Sequence, residues 1–152
     1  MKERLNGYKT SPDAYHAILG LQTYVNECGL EHSLMELVKI RASQINGCAY
    51  CLHMHLRDAR KAGEQEERLD LIAAWEESPL FTDRERAALA WTEALTLVSE
   101  THAPDMTYEM LLPHFSEKEI VDLTAMIGTI NVWNRMAIGL RTLPAVSKAK
   151  AA

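Results

Sequence analysis

The sequence predicts an all-α protein, and three observations support that prediction. Apolar residues recur with the 3.6-residue period of amphipathic helices along most of the chain. Ser, Thr and Pro residues stand at the starts of these segments and glycines at several of their ends, as is typical of helices. No alternating apolar pattern with hairpin turn residues accompanies them. We therefore expect one domain over residues 1–152, with about seven helices and with about ten N-terminal and about eight C-terminal residues frayed.

Three helices are predicted in the first half of the chain. The first opens at a Ser-Pro-Asp sequence, which places a proline in its first turn, and covers about residues 12–28. The second covers about residues 33–45 and ends at the Asn46-Gly47 turn. The third begins at or just before Cys48 and continues to about residue 62, where a glycine follows a cationic last turn that suits the helix dipole.

Four helices are predicted in the second half. A short helix covers about residues 66–75. A longer one opens at Thr82, where Thr-Asp-Arg-Glu has the pattern of a capping box. A brief helix at about 106–112 ends at a proline. The last helix opens at a second capping box, beginning with Ser116, and runs to about Leu140.

Charge and hydropathy exclude several kinds of partner. The formal net charge is −5, and no basic stripe interleaved with aromatic residues occurs, so we expect no nucleic acid and no membrane partner. No stretch approaches the roughly 20 apolar residues that cross a bilayer. No apolar run follows the polar N-terminus, so we expect no signal peptide and a cytoplasmic location. Three cysteines in that reducing compartment are not a disulfide framework.

Cys48 and Cys51 are the most informative residues. Two intervening residues put their side chains about 300° apart around a helix, so the cysteines lie on nearly the same face, one turn apart. This spacing permits a disulfide without a large backbone movement. The start of a helix favours a thiolate over a thiol, because unsatisfied N–H groups and the positive end of the dipole lie there. By this argument Cys48, which is nearer the helix start, is the more acidic thiol.

His55 and Glu36 complete a candidate catalytic set. His55 follows Cys51 by four residues on the same stripe, so its imidazole can reach toward the thiols. Glu36 lies in the preceding helix, which a tight turn would fold back toward the cysteines. A thiol, an imidazole and a carboxylate are the parts of a proton relay, in which the base removes the thiol proton and the carboxylate holds the base.

Each member of this set also has a structural interpretation. The cysteines could be core residues, His55 an ordinary helix histidine and Glu36 a surface carboxylate. Structural zinc needs four ligands, for which Cys48, Cys51, His53 and His55 are the local candidates. His53 points away from the stripe, at about 200° from Cys51. Haem attachment needs a histidine directly after the second cysteine, where a leucine stands. We therefore predict no metal and no cofactor.

Three other features are less specific. Cys28 stands alone and is interpreted as a structural or incidental thiol. Trp133-Asn134-Arg135, late in the last helix, is interpreted as a surface face or subunit contact, with a place in a site as the alternative. Arg41 and Arg135 are the hints of a cationic pocket for carboxylates.

The spacing Glu-x11-Cys-x2-Cys-x3-His of Glu36, Cys48, Cys51 and His55 resembles the alkyl hydroperoxidase D-like core of the carboxymuconolactone decarboxylase superfamily. The surrounding sequence resembles it as well, roughly over residues 33–141. The matching strings are residues 41–51, 54–55, 57–63, 74–81, 86–93 and 130–135.

The resemblance implies an all-α fold that assembles as a homo-oligomer, commonly a trimer or hexamer, and that reduces a hydroperoxide substrate. By that analogy Cys51 attacks the peroxide and becomes a sulfenic acid, Cys48 resolves it to a disulfide, and an external dithiol reductant resets the pair. Glu36 and His55 would form the proton relay. A branch of the family has a histidine where this chain has Tyr50, which implies a shorter or slower relay here.

Three functions stay open at this point. The leading hypothesis is a thiol-dependent hydroperoxidase with an antioxidant role. The second is a carboxymuconolactone-type decarboxylase, which would need a cationic pocket and whose branch is not defined by a CxxC pair. The third is a non-enzymatic oligomer that senses oxidation of the pair, because a sensor needs the same activated thiol.

Overall fold

The structure is a computed structural model that describes residues 1–144, and the predicted all-α fold is confirmed over that range. The predicted fraying of the last eight residues falls on 145–152, outside the described residues. Within the described range there is no β-strand, and no helix is both long and apolar enough to cross a membrane. The α-helices are α1 (Gly7–Thr10), α2 (Pro12–Glu27), α3 (His32–Asn46), α4 (Ala49–Lys61), α5 (Glu66–Leu71), α6 (Asp83–Thr96), α7 (Val98–Thr101), α8 (Asp105–Glu109) and α9 (Glu117–Leu140).

Both predicted capping boxes are present at the starts of the long helices α6 and α9. The Thr82 hydroxyl accepts from the Glu85 backbone N–H, and the Glu85 carboxylate accepts from the Thr82 backbone N–H at 2.8 Å. Ser116 and Glu119 make the same reciprocal pair. These local signals are recognisable in sequence because both partners lie within one turn.

Over residues 1–144 the predicted count of about seven helices is roughly confirmed. The two additional helices, α1 and α7, have only four residues each, too few for a periodic pattern. The segment before α2, expected to fray, holds α1 and is tied to α9. The Arg4 backbone N–H donates to the Leu140 carbonyl at 3.0 Å, and the Arg4 guanidinium donates to the Gly139 carbonyl. The helix predicted over 66–75 is α5 followed by a 3-10 turn, Ile72–Ala74.

Helix α3 is the centre of the fold. Nearly every residue from Leu34 to Ser43 is buried, which happens only when a helix is covered on all sides. It packs against α4, α6 and α9. Because its polar residues Glu36, Lys39 and Ser43 are buried with the rest, they must find partners inside the protein. Those partners build the site.

Candidate active site

A tight turn between α3 and α4 places the two cysteines. Gly47 ends α3 in the left-handed conformation, with φ of 69°, and its N–H donates to the Gln44 carbonyl. The next N–H, that of Cys48, donates to the Ser43 carbonyl at 2.9 Å. Cys48 is then the N-cap of α4, and its Sγ accepts from the Cys51 N–H at 3.3 Å. The sulfur of Cys48 therefore lies among the unsatisfied N–H groups of a helix start.

Cys48 and Cys51 are joined as a disulfide, with 5.4 Å between their Cα atoms. Both are buried, and they form a small cluster with Ala137 of α9 and the flanking Tyr50. Cys51 also lies on the wall of a cavity. The pair thus adopts its oxidised form within this fold, with one of its sulfur-bearing residues facing a space that a ligand can enter.

The structure brings Glu36 and His55 together on that same wall. His55 Nδ1 lies 2.9 Å from Glu36 Oε2, and both residues are buried. Because an ionised carboxylate can only accept, the Nδ1 proton is directed at Glu36, and Nε2 is the ring nitrogen left for another partner. His55 lies one helical turn after Cys51 on α4, so the predicted set of carboxylate, imidazole and thiol shares one side of one cavity.

Lys39, which the sequence motif does not indicate, is a third member of this group. The ammonium of Lys39 donates to Glu36 Oε1 at 3.0 Å, and Lys39 is buried on the same cavity wall. Burial raises the pKa of Glu36. The hydrogen bond and charge of His55, followed by the charge of Lys39, lower it by more, so the net pKa lies below its usual range. The three-residue spacing on one helix could have indicated the ion pair, although such pairs usually lie in solvent.

The cavity has a volume of about 870 Å³ and lies between α2, α3, α4 and α9. That is the size of a site for an organic molecule, far more than hydrogen peroxide needs. Much of its wall is formed by apolar side chains. These are Leu19, Met35, Met54, Ile130, Trp133 and Met136.

Three side-chain amides, two of them buried and one half-buried, fix the turn against α9. Asn46 donates to Asn131 Oδ1 at 2.9 Å and to Asn134 Oδ1 at 2.8 Å. Asn134, which has no exposed surface, donates in turn to Ser43 Oγ at 3.0 Å. Since the Ser43 carbonyl also accepts from Cys48, this network connects α9 to the first residue of the CxxC pair.

The network corrects the interpretation of Trp133-Asn134-Arg135 as a surface face. Asn134 is interior, and Trp133 lines the cavity while its indole N–H donates to Gln22 Oε1 at 3.0 Å. Only Arg135 is exposed, and its guanidinium donates to the Asn131 side chain. Consecutive helical residues point about 100° apart, so these three residues lie on three different faces of α9.

The other singled-out residues make ordinary protein contacts. Arg41 donates to Glu93 at 2.7 Å, so its charge is compensated within the protein rather than offered to a carboxylate ligand. Cys28 is half-buried at the end of α2, where its thiol donates to the Val25 carbonyl at 3.1 Å. Within residues 1–144, no three His, Cys, Asp or Glu side chains are grouped so that they could hold a metal ion.

Comparison with known proteins places this fold and motif in a family. The model of the carboxymuconolactone decarboxylase family matches residues 12–94. The uncharacterized protein YdfG of Bacillus subtilis is 37% identical over 140 residues, which is 92% of this chain and 95% of YdfG. The uncharacterized protein YnjA of Escherichia coli is 33% identical over 104 residues, 68% of this chain and 56% of YnjA.

Solved structures show the same fold. A protein of unknown function from Agrobacterium tumefaciens, for which an antioxidant defence role as AhpD has been suggested, superposes with a TM-score of 0.94 at 47% identity over 96% of this chain and all of its own. The debrominase Bmp8 superposes with a TM-score of 0.79 at 20% identity, over 91% of this chain and 74% of that chain, which bears on the fold alone. This chain therefore belongs to the carboxymuconolactone decarboxylase family and has its AhpD-like helical core.

Proposed function

We propose that this protein is a thiol-dependent peroxidase that reduces organic hydroperoxides through Cys48 and Cys51. The observation that carries the proposal is the position of Cys51 on the wall of a largely apolar cavity, disulfide-bonded to Cys48 and one turn from the Glu36–His55 pair. The suggested antioxidant role of the Agrobacterium protein, which is 47% identical, points the same way.

In the reduced protein, His55 Nε2 takes the proton of the Cys51 thiol, and Glu36 stabilises the imidazolium through Nδ1. The thiolate attacks the terminal oxygen of the hydroperoxide, the O–O bond breaks, and the alkoxide leaves as the alcohol with the proton from His55. Cys51 is now a sulfenic acid. It has been oxidised by two electrons, which the hydroperoxide has accepted.

Cys48 then attacks the sulfur of the sulfenic acid, which forms the disulfide and releases water. An external dithiol returns the pair to the reduced state by thiol–disulfide exchange, and we propose a cytoplasmic reductant for this step. The assignment of Cys51 as the attacking residue is supported by its place on the cavity wall. The N-cap position of Cys48 stabilises its thiolate, which suits the sulfur that attacks the sulfenic acid and later leaves when the disulfide is reduced.

The test is oxidation of the fully reduced protein by cumene hydroperoxide. Intact-protein mass spectrometry detects the disulfide, and consumption of peroxide in the presence of dithiothreitol measures turnover. We expect one equivalent of peroxide to form the Cys48–Cys51 disulfide. Cys51→Ser should abolish peroxide consumption, and Cys48→Ser should accumulate a Cys51 sulfenic acid that dimedone traps. Cys28→Ser removes the third thiol and serves as the matched control. A reduced protein that stays a dithiol in excess peroxide would refute the proposal.

We also propose that the protein is a homo-oligomer, a trimer or hexamer. Large apolar side chains are exposed on α2 and α9, at Leu21, Tyr24, Val121, Val132 and Ile138. Apolar surface of this kind is typical of association sites. Light scattering coupled to size exclusion measures the mass directly, and a monomer at micromolar concentration would contradict the expectation.

A further inference from the structure

Lys39 is a buried cation at the site that the Glu-Cys-Cys-His motif does not contain. The residue is 6% exposed, and its ammonium lies 3.0 Å from Glu36 Oε1 on the cavity wall. Lysine is among the residues least often buried, because an ammonium loses its hydration when it leaves water. The burial of the Lys39 ammonium therefore needs an explanation, and its ion-pair partner Glu36 supplies one.

The register of the two helices places the backbone of Lys39 opposite the part of α4 that carries Cys51. Ser43 contacts Cys48 at the turn, and Glu36 contacts His55 further from it, so α3 and α4 run past each other in opposite directions. Lys39 lies between these two contacts on α3, as Cys51 does between them on α4. The backbone of Lys39 is therefore opposite the part of α4 that carries Cys51, and its ammonium is bonded to Glu36, the carboxylate that also binds His55.

The charges of the four side chains explain why a cation beside Glu36 is favourable. Before proton transfer the set holds an ionised Glu36, a protonated Lys39, a neutral His55 and a neutral Cys51 thiol, which sum to zero. After transfer the added imidazolium and thiolate also cancel. Without Lys39 both states carry one uncompensated negative charge in a buried place, which is costly. Protonation of Glu36 then becomes the least costly way to remove this charge, and a neutral Glu36 stabilises the imidazolium poorly.

We infer that Lys39 is the positioning residue of the relay, whose ammonium keeps Glu36 ionised and bonded to His55 Nδ1, so that Nε2 is the base for Cys51. This inference rests on the proposed thiol chemistry and adds a member to it. The lowered pKa of Glu36, to which Lys39 contributes, agrees with this role.

Other titratable groups on the cavity wall leave this role to Lys39. His32 of α3 and Asp58 and Lys61 of α4 lie toward the far end of the helix pair, beyond the Glu36–His55 contact. The described lining residues of α2 and α9 carry no charge, although α2 contributes Tyr15 and α4 contributes Tyr50. Asp58 is also paired with the neighbouring Arg57 at 3.1 Å.

The test measures thiol reactivity, which needs no peroxide. The reduced protein is alkylated with iodoacetamide over a pH series, and Cys51 modification is followed by peptide mass spectrometry. We expect Lys39→Met to slow alkylation of Cys51 at pH 7 by about tenfold and to move its midpoint to higher pH, because a protonated Glu36 no longer stabilises the imidazolium that forms together with the thiolate. Lys39→Arg keeps the charge and should restore most of the rate. Lys9→Met removes the same charge from the exposed α1 and should have no effect.

A folded Lys39→Met protein that alkylates like the wild type would overturn the inference, as would an arginine variant as slow as the methionine one. Should Lys39→Met fail to fold, Lys39→Gln removes the charge while keeping a hydrogen-bond donor for Glu36, and it decides by the same measurement. The acid limb of the pH–rate profile with cumene hydroperoxide provides a second readout, and it should move to higher pH in Lys39→Met. Absence of peroxide turnover in the wild type would refute the proposed reaction and leave the alkylation result in force.

Discussion

Asn134 is the residue whose replacement tests how α9 holds the turn that carries the cysteines. Asn134→Ala removes the amide that accepts from Asn46 at 2.8 Å and donates to Ser43 at 3.0 Å, at a position with no exposed surface. Each hydrogen bond contributes about 1 kcal/mol, and the void and the orphaned polar groups add to the loss. We expect the free energy of unfolding to fall by about 3 kcal/mol, which lowers Tm by about 6–12 °C at this chain length.

The assay is urea unfolding followed by circular dichroism, with all proteins reduced so that the disulfide does not contribute. Asn134→Leu separates the two causes, because it fills the volume but leaves Asn46 and Ser43 short of a partner. It should remain destabilised by more than about 1 kcal/mol. Asn26→Ala is the matched control, since Asn26 is exposed and its partner Gln22 is one turn away; we expect a change within about 0.5 kcal/mol. The reasoning would be refuted if Asn134→Ala were no less stable than Asn26→Ala.

Three further predictions concern acid stability, a helix cap and two glycine positions. The pKa of Glu36 lies below its usual range, so the ionised carboxylate stabilises the folded state. This contribution is complete above the unfolded pKa of about 4.3 and is lost as the pH falls through the folded pKa. Urea midpoints measured over a pH series should therefore fall less steeply in this acid range for Glu36→Gln than for the wild type. The Ser116 N–H and hydroxyl, with Arg84, lower the pKa of Glu119 to about 2, so stability should also fall between about pH 4.5 and 2, and Glu119→Ala should cost about 1 kcal/mol at pH 7 by thermal unfolding. Gly47 has a φ of 69°, so Gly47→Ala should lower the free energy of unfolding by about 1 kcal/mol and slow reoxidation of the cysteine pair. Gly20 lies in the exposed middle of α2, where an added Cβ meets nothing within 4 Å. Gly20→Ala should therefore raise the free energy of unfolding by about 0.5–1 kcal/mol.

The sequence by itself determined the parts of this protein whose causes lie within one or two helical turns. Both capping boxes, the left-handed Gly47 and the stacking of Cys48, Cys51 and His55 on one stripe follow from local geometry that residue identities specify. The approach of Glu36 was also within reach, since one tight turn separates its helix from α4.

Only the tertiary structure decided which polar groups are interior and what they bind. Nothing local distinguishes a buried Lys39 from an exposed one, and Asn134 became a support for the turn only when α9 packed on α3. The cavity likewise exists only where α2 and α9 close over the cysteine pair. The Asn134 network depends on contacts between residues about 90 positions apart, as between Ser43 and Asn134, and a buried amide is tolerated only when such a partner is present. Lys39 has its partner on its own helix, but its burial depends on the packing of α4, α6 and α9 around α3.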